Sequence, residues 1–269
     1  MDLFQQIVMG IIQGITEWIP ISSKSMLLLV STNFFGGVDV ELFLRQALLL
    51  HLGTFFAALI YFRKDVAQLI KAAFNYKRSD RETRNVLNFL AISTIISGFV
   101  GLAFLQFFKF LSDQTQLIVT SKIITFSIGA LLLITGFIQI RASKSGGNRT
   151  ILHLNQTDNI LLGVAQGFAA LPGISRSGIT ISTLLFRNID DKTAVRLSFL
   201  MSMPIVLAGN ILLNFKDFNL ISGLFVGILV AFVFGLITIN IIMKIAERIR
   251  FGWFVILMAI LIILAGFLI

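Results

Sequence analysis

The chain has 269 residues, of which 57% are hydrophobic and 13% are charged, with a mean hydropathy of +0.93. This balance excludes a soluble globular protein and predicts one integral membrane domain over residues 1–269. The net charge of +9 fits basic loops at an anionic membrane surface, so we expect no nucleic-acid partner. The absence of cysteine excludes disulfides, thiolate metal sites and a thiol nucleophile.

The first apolar segment, residues 3–30, is interrupted by polar residues between Gln13 and Ser25. Each apolar half is shorter than the roughly 20 residues that a helix needs to cross a bilayer. Pro20 lies inside the interruption and lacks the backbone N–H that a continuous helix requires. This pattern predicts a re-entrant hairpin, in which one short helix enters the membrane and a second leaves on the same side.

Six longer apolar segments predict six transmembrane helices. They cover residues 46–62, 86–108, 117–140, 194–213, 220–243 and 251–269. The loop at 63–84 is amphipathic and carries seven Lys or Arg residues, and the loop at 141–158 is polar and expected to be flexible. The expected fold class is therefore an all-α polytopic membrane protein.

A second interruption covers residues 171–178, which read Leu-Pro-Gly-Ile-Ser-Arg-Ser-Gly. The apolar runs on either side, 160–170 and 179–186, are again too short to span a bilayer. Non-helical backbone at membrane depth occurs only inside protein or beside a wet cavity. We therefore predict a second re-entrant hairpin. The alternative interpretation is an ordinary hairpin loop whose Arg176 extends to the membrane surface.

The two interruptions share a sequence pattern. Gln-Gly precedes a proline and two serines, at positions 13, 14, 20, 22 and 23 in the first and at 166, 167, 172, 175 and 177 in the second. The alignment of Pro20 with Pro172 needs a gap of one residue. This pattern predicts a repeat, with its first copy over about 1–140 and its second over about 141–269.

The distribution of basic residues predicts the orientation. The basic loops are 63–84, 141–158, 188–192 and 244–250, whereas 31–44, 109–116 and 214–219 carry few positive charges. The positive-inside rule puts the first group in the cytoplasm and both termini outside. The two interruptions then enter from opposite sides, as in an inverted-topology repeat, and are expected to meet near the membrane midplane. The first opens outward.

The two interruptions carry polar residues that we expect to form one site. The first supplies Glu17, Ser22, Ser23 and Lys24, and the second supplies Ser175, Arg176, Ser177 and Thr180. Guanidinium, hydroxyl and helix N-terminal amide groups together favour a phosphate or diphosphate.

Individual residues of this site have alternative roles. Glu17 is a candidate divalent-cation ligand or proton acceptor, or it pairs structurally with Lys24 or Arg176. Ser23 is a candidate nucleophile, although serines at helix breaks commonly cap the backbone. His51, in the middle of a predicted span, is either a hydrogen-bonded buried histidine or a proton donor to a leaving group.

At these residues the chain resembles the undecaprenyl-diphosphatase family, integral membrane enzymes often called bacitracin-resistance proteins. The similar stretches are Glu17 with Pro20-x-Ser22-Ser23, Pro172-Gly173-x-Ser175-Arg176-Ser177-Gly178 followed by Thr180, His51-Leu52-Gly53-Thr54, and Arg196-x-Ser198-Phe199-Leu200 leading to Pro204. They occur in the family's order over almost the whole length. The resemblance implies two re-entrant hairpins in an inverted repeat.

The resemblance also implies an activity in the cell membrane. The family removes the terminal phosphate of a polyprenyl diphosphate and so recycles the lipid carrier for cell-wall or surface polysaccharides. It implies a catalytic core of Glu17, Ser23 and Arg176. The expected substrate-binding residues are Gln13, Ser22, Lys24, His51, Ser175, Ser177 and Thr180. The expected partners are the lipid substrate and membrane lipids, and a homodimer is one open oligomeric state.

The chain departs from the family pattern at two places. Many relatives have Glu at the position of Gln13, and Thr-Gly-His in place of Lys24-Ser25-Met26. The missing carboxylate weakens the expectation that Glu17 binds Mg²⁺ or Ca²⁺, while Lys24 supplies a point charge in its place. The missing histidine is a residue often assigned a catalytic role.

Two alternative functions remain open from the sequence. An inverted repeat with broken helices is also a transporter architecture, which would move a lipid phosphate or a small anion. The other alternative is a lipid-binding protein without catalytic activity.

Overall fold

The computed structural model describes residues 1–36, 40–114, 121–142, 147–170, 173–214, 222–245 and 251–268. These residues form eleven α-helices and two short 3-10 helices. The α-helices are α1 (Leu3–Thr16), α2 (Ser23–Phe34), α3 (Val40–Tyr61), α4 (Arg63–Phe74), α5 (Arg81–Gln114), α6 (Ser121–Ala142), α7 (Gln156–Phe168), α8 (Arg176–Phe186), α9 (Asp191–Leu213), α10 (Phe225–Ile245) and α11 (Phe251–Leu268). The expected all-α fold class is confirmed.

Five helices, α3, α5, α6, α9 and α10, are long and apolar enough to cross a membrane. Together with the composition, they make the chain a multi-pass membrane protein. Helix α11 is equally apolar but shorter, and its apolar window covers Gly252–Phe267. The sixth span therefore stays a prediction.

Two of the predicted loops are largely helical. The loop predicted at 63–84 contains α4 and a 3-10 helix at Tyr76–Arg78. Asp65 in the first turn of α4 and Lys71 in its last turn complement the helix dipole, so the charges support a helix here. Helix α5 continues to Gln114, so the loop predicted at 109–116 is helical over its described residues 109–114.

Both sequence interruptions are breaks between short helices. Helix α1 ends at Thr16 and α2 begins at Ser23, while α7 ends at Phe168 and α8 begins at Arg176. The prediction that Pro172 breaks the second helix lies outside the described residues. Its neighbour Gly173 has a φ of +99°, and a Cβ there would lie 2.8 Å from the Cβ of Leu131. Glycine is therefore required at this turn.

Each short first helix packs closely against a long helix from the other half of the chain. Gly14 of α1 lies against α10, where an added Cβ would stand 2.8 Å from the backbone nitrogen of Gly235. Gly163 of α7 lies against α5, where an added Cβ would stand 3.0 Å from the carbonyl oxygen of Ser93. Small residues spaced by four allow such close contact between helices. As a result, the two halves of the chain interlock.

Three of the four segments predicted to be cytoplasmic lie together at one end of the helices, which we call the basic face. It comprises the described parts of 63–84, 141–158 and 188–192. The Asn85 side chain donates a hydrogen bond to the carbonyl of Ile151 at 3.2 Å, and Arg196 pairs with Asp65. At the opposite end, which we call the Arg45 face, Arg45 Nε donates to Asn214 Oδ1 at 3.3 Å. Helix α3, which connects the two faces, is about 33 Å long.

The expectation of a flexible segment at 141–158 is wrong for residues 147–158. The guanidinium of Arg149 donates to Asp158 Oδ2 at 2.6 Å and to the carbonyl of Arg187 at 2.7 Å. Arg187 also donates to Asp158, at 2.6 Å. Burial opposes ionisation of Asp158, but the hydrogen bonds from Arg149 and Arg187 hold the pKa of this carboxyl below its ordinary value. A paired, buried carboxylate therefore fixes this segment, and composition alone does not reveal such a long-range contact.

Candidate active site

The carboxylate of Glu17 is the centre of the site. It lies in the turn between α1 and α2 and is only 6% exposed. Its Oε2 accepts hydrogen bonds from Gln13 Nε2 at 2.9 Å and from Ser23 Oγ at 2.8 Å. His51 Nε2, from α3, lies 3.2 Å from the same oxygen. Oε1 pairs with the guanidinium of Arg176, so the structure brings the two breaks into direct contact.

Arg176 is held in place by helix α9. Its second terminal nitrogen donates to the carbonyl of Ser198 at 3.2 Å. Thr180 Oγ1 donates to the backbone carbonyl of Arg176 at 2.7 Å and forms a 2.6 Å hydrogen bond with Ser198 Oγ. Ser198 belongs to a stretch that resembles the family, but the sequence predicted no role for it at the site. Its position in that motif is the one sequence signal that could have indicated such a role.

The serines divide into two groups. Ser22 and Ser175 are the N-cap residues of α2 and α8, and each side chain accepts a backbone N–H three residues later. They satisfy amide groups at the helix starts, as the capping alternative predicted. Ser177 instead donates to the carbonyl of Ile19 at 3.2 Å and so links the two breaks. Among these serines, Ser23 contacts the Glu17 carboxylate.

His51 contacts two groups that accept hydrogen bonds. Its Nδ1 lies 2.6 Å from the carbonyl oxygen of Ala47, and its Nε2 faces Glu17. A carbonyl and an ionised carboxylate can only accept hydrogen bonds. The ring is therefore held between a backbone carbonyl on one side and the Glu17 carboxylate on the other.

A cavity of about 310 Å³ opens beside these residues. Its polar end is lined by Glu17, Ser22, Ser23, Lys24, His51, Ser175, Arg176 and Ser177. Gln13 and Thr180 lie behind this wall and contact Glu17 and Arg176, respectively. The predicted site residues are thus brought together. Gln166 and Ser97 also line the cavity, and neither was predicted as a site residue.

The other end of the cavity is apolar. Leucines from three helices line it, namely Leu44, Leu48, Leu102, Leu212 and Leu213. Leu44 and Leu213 adjoin Arg45 and Asn214 in the chain, so this end of the cavity lies towards the Arg45 face. The cavity therefore combines a charged, hydroxyl-rich end with a hydrocarbon-lined end.

The donor set does not fit a divalent cation. Within the described residues no group of three or more His, Cys, Asp or Glu side chains could hold a metal ion. Glu17 is the one carboxylate among the described residues that line the cavity, and both its oxygens already accept from neighbouring donors. Even when waters and substrate phosphates supply most of the oxygen ligands of Mg²⁺ or Ca²⁺, the protein usually contributes one or two carboxylates that are free to ligate. Binding of Mg²⁺ or Ca²⁺ by Glu17 therefore stays a prediction that this donor set does not support.

These features define an all-helical, multi-pass membrane protein in which two cations and several hydroxyls surround one buried carboxylate where two broken helices meet. The chain belongs to the family described as bacitracin resistance protein BacA, whose profile matches residues 6–264. The resemblance inferred from the motifs is therefore confirmed.

Full-length relatives support the same assignment. The chain is 41% identical to the undecaprenyl-diphosphatase of Methanococcoides burtonii over 276 aligned residues, which cover all of both proteins. It is 35% identical to that of Saccharolobus solfataricus, over 97% of this chain and 95% of the relative. It is 36% identical to that of Syntrophotalea carbinolica, over 93% and 92%.

Proposed function

We propose that the chain hydrolyses a polyprenyl diphosphate of the undecaprenyl type to the monophosphate and inorganic phosphate. This reaction would recycle the lipid carrier for cell-wall or surface polysaccharide synthesis. The observation that carries the proposal is the contact of Glu17 with both Ser23 and Arg176 at the polar end of a cavity whose other end is apolar. Membership of the family and the names of the relatives support the same reaction.

The residues have complementary roles in this reaction. Arg176 binds the terminal phosphoryl group and stabilises the charge that develops on its oxygens. Glu17 accepts the proton of the nucleophile, which is either Ser23 or a water molecule beside it. The new P–O bond forms in line with the breaking bond to the bridging oxygen.

His51 has the geometry of the proton donor in this reaction. Its Nε2 lies 3.2 Å from Glu17, and a proton carried on this nitrogen would pass to the bridging oxygen of the departing lipid monophosphate. If Ser23 is the nucleophile, water then hydrolyses the phosphoserine and regenerates the hydroxyl. Either route consumes one water and yields one inorganic phosphate.

The apolar end of the cavity suits a prenyl chain. With the diphosphate at the polar end, the hydrocarbon would run along the leucines towards the Arg45 face. Lipid tails are as apolar as leucine side chains, so the cavity offers little hydrophobic gain over the surrounding bilayer. The leucines would therefore accommodate the prenyl chain and orient the diphosphate, rather than set the binding affinity.

We also propose that the two broken helix pairs are re-entrant hairpins in an inverted-topology repeat, with α11 as the sixth span. The reciprocal packing of α1 on α10 and of α7 on α5, through glycines four residues apart in both cases, supports a repeat of about 1–140 and about 141–269. The clustering of the basic segments at one face supports a cytoplasmic position for that face. Both termini and the mouth of the cavity would then lie outside the cell membrane.

Cysteine labelling tests this orientation, because the natural chain has no cysteine. Phe34 at the end of α2 and Phe74 at the end of α4 are 78% and 84% exposed, respectively. We expect Phe34→Cys to react with a membrane-impermeant maleimide in intact cells, and Phe74→Cys to react only after permeabilisation. The reverse pattern would contradict the orientation without affecting the proposed reaction.

The activity is tested by measuring phosphate released from farnesyl diphosphate and longer prenyl diphosphates by the purified protein. Ser23→Ala should lower turnover by about 10²-fold or more if Ser23 is the nucleophile, and by less if it only orients the attacking water. Ser202→Ala is the matched control, because Ser202 is buried but donates only to the carbonyl of Phe199 in its own helix. Absence of phosphate release by the wild-type protein would refute the proposal and leave the transporter or lipid-binding alternatives.

A further inference from the structure

Two basic side chains of the protein make the polar end of the cavity positively charged. Lys24 and Arg176 both line the cavity, against the single carboxylate of Glu17. The fixed charges of these three side chains therefore leave an excess of one positive charge before His51 is counted. A phosphate entering this site meets an attractive field, whereas a divalent cation entering it meets a repulsive one.

Glu17 has little capacity left for a metal ion. To ligate a cation through Oε1 it would have to release Arg176, and to ligate through Oε2 it would have to release hydrogen bonds from Gln13 and Ser23. Each exchange leaves a buried donor without its acceptor, which costs about 1–3 kcal/mol.

Gln13 strengthens this conclusion. Its amide nitrogen donates to Glu17, and its amide oxygen is buried without a hydrogen-bond partner in the described part of the chain. An amide oxygen can accept from a water molecule or a protonated phosphate oxygen, and it can also ligate a metal ion. Unlike a carboxylate at this position, it does not provide the second negative charge that a hard divalent cation favours.

From this geometry we infer that the chain hydrolyses its substrate without a divalent cation, and that Lys24 together with Arg176 supplies the charge neutralisation that a metal would supply. The inference rests on the proposed phosphatase function. Arg176 offers a planar pair of donors, and Lys24 offers a compact point charge on the opposite break. The substrate phosphates would thus be bound between two protein cations rather than between one cation and a metal.

The experiment measures phosphate release by purified wild-type protein in excess EDTA and during titration with Mg²⁺, Ca²⁺ and Mn²⁺. We expect turnover in EDTA to stay within about twofold of turnover with metal, because EDTA would remove no cation from the site. We also expect electron paramagnetic resonance to detect no stoichiometric Mn²⁺ binding at the site. Release that falls at least tenfold in EDTA and returns with Mg²⁺ would overturn the inference but keep the phosphatase function. No release under any condition would refute both.

Two variants examine the role of Lys24. Lys24→Met should lower kcat/KM in EDTA by about tenfold or more, because one charge-assisted phosphate contact is lost. Lys122→Met is the matched control, because Lys122 is exposed at the start of α6 and does not line the cavity. Wild-type kcat/KM in folded, monodisperse Lys24→Met would overturn the assignment.

The double variant Gln13→Glu with Lys24→Thr provides an independent test. It adds a carboxylate next to Glu17 and removes a cation, so the site should gain measurable Mn²⁺ binding and become inhibited by EDTA. A double variant whose phosphate release remains insensitive to EDTA and which does not bind Mn²⁺ would contradict the proposed reason for metal independence.

Discussion

Substitution of Arg176 by lysine is the sharpest test of the catalytic geometry. One terminal nitrogen of Arg176 contacts Glu17, and the other donates to the carbonyl of Ser198 at 3.2 Å. Lysine keeps the charge but cannot reproduce two directed contacts from one planar group. The variant should therefore fold but lose one oriented donor to the phosphoryl group in the transition state. Such a donor contributes about 2.7–4 kcal/mol, which corresponds to a loss of about 10²–10³-fold in kcat.

The assay is phosphate release by purified, monodisperse Arg176→Lys protein beside wild type, with thermal unfolding measured on both. Arg63→Lys is the matched control, because Arg63 is exposed and donates only a 3.4 Å bond to the carbonyl of Ile60 on the basic face. Its kcat should equal that of wild type. If Arg176→Lys also retains wild-type turnover, Arg176 only closes a loop and the proposed mechanism is refuted.

Three further substitutions test other parts of the structure. Gly173→Ala should destabilise the protein by about 1–3 kcal/mol, because alanine disfavours the positive φ and its Cβ would collide with Leu131; unchanged thermal stability would contradict this. His51→Gln should lower kcat by about 10²–10⁴-fold. The loss should be smaller for a substrate whose leaving group needs no proton. An equal loss of kcat for both substrates would exclude proton donation by His51. Asp158→Asn should destabilise the protein at pH 7. Because the folded-state pKa of Asp158 is lowered, the stability it contributes is present above its ordinary pKa of about 4 and is lost as the pH falls through the lower folded value. Thermal unfolding of the variant and wild type should therefore converge at low pH, and a constant difference would contradict the ion-pair explanation.

The site could be predicted from sequence because its chemistry is concentrated at two helix breaks. Glu17 and Arg176 are 159 residues apart, yet the shared Gln-Gly-Pro-Ser pattern and the loop charges together predicted that they meet. Polar residues in an apolar segment are conspicuous, and a helix break inside a membrane protein requires a polar or protein environment. The same signals predicted most of the polar residues that line the cavity, but not its apolar lining.

Other contacts could not be predicted because they depend on packing between distant helices. Ser198 fixes Arg176 through its backbone carbonyl, and a carbonyl carries no residue-specific signal. Trp18 packs against Phe199 with ring centroids 4.8 Å apart, and this contact helps to position the Glu17 turn beside α9. Arg149 reaches Asp158 from a segment whose composition is typical of a flexible loop. Helix α4 could not be predicted from its charges alone, because a basic, amphipathic segment also fits a loop at a membrane surface.

The most direct test of the central claim is the turnover of a long-chain polyprenyl diphosphate by wild-type protein and by Glu17→Gln. Glu17 contacts Ser23, His51 and Arg176, so its carboxylate is the one group that joins the proposed nucleophile, proton donor and phosphate clamp. We expect wild type to release one inorganic phosphate for each lipid monophosphate formed, and Glu17→Gln to be slower by about 10²–10⁴-fold. Wild-type protein that releases no phosphate, or a folded Glu17→Gln variant with unchanged turnover, would contradict the assignment of this cavity as a phosphatase site.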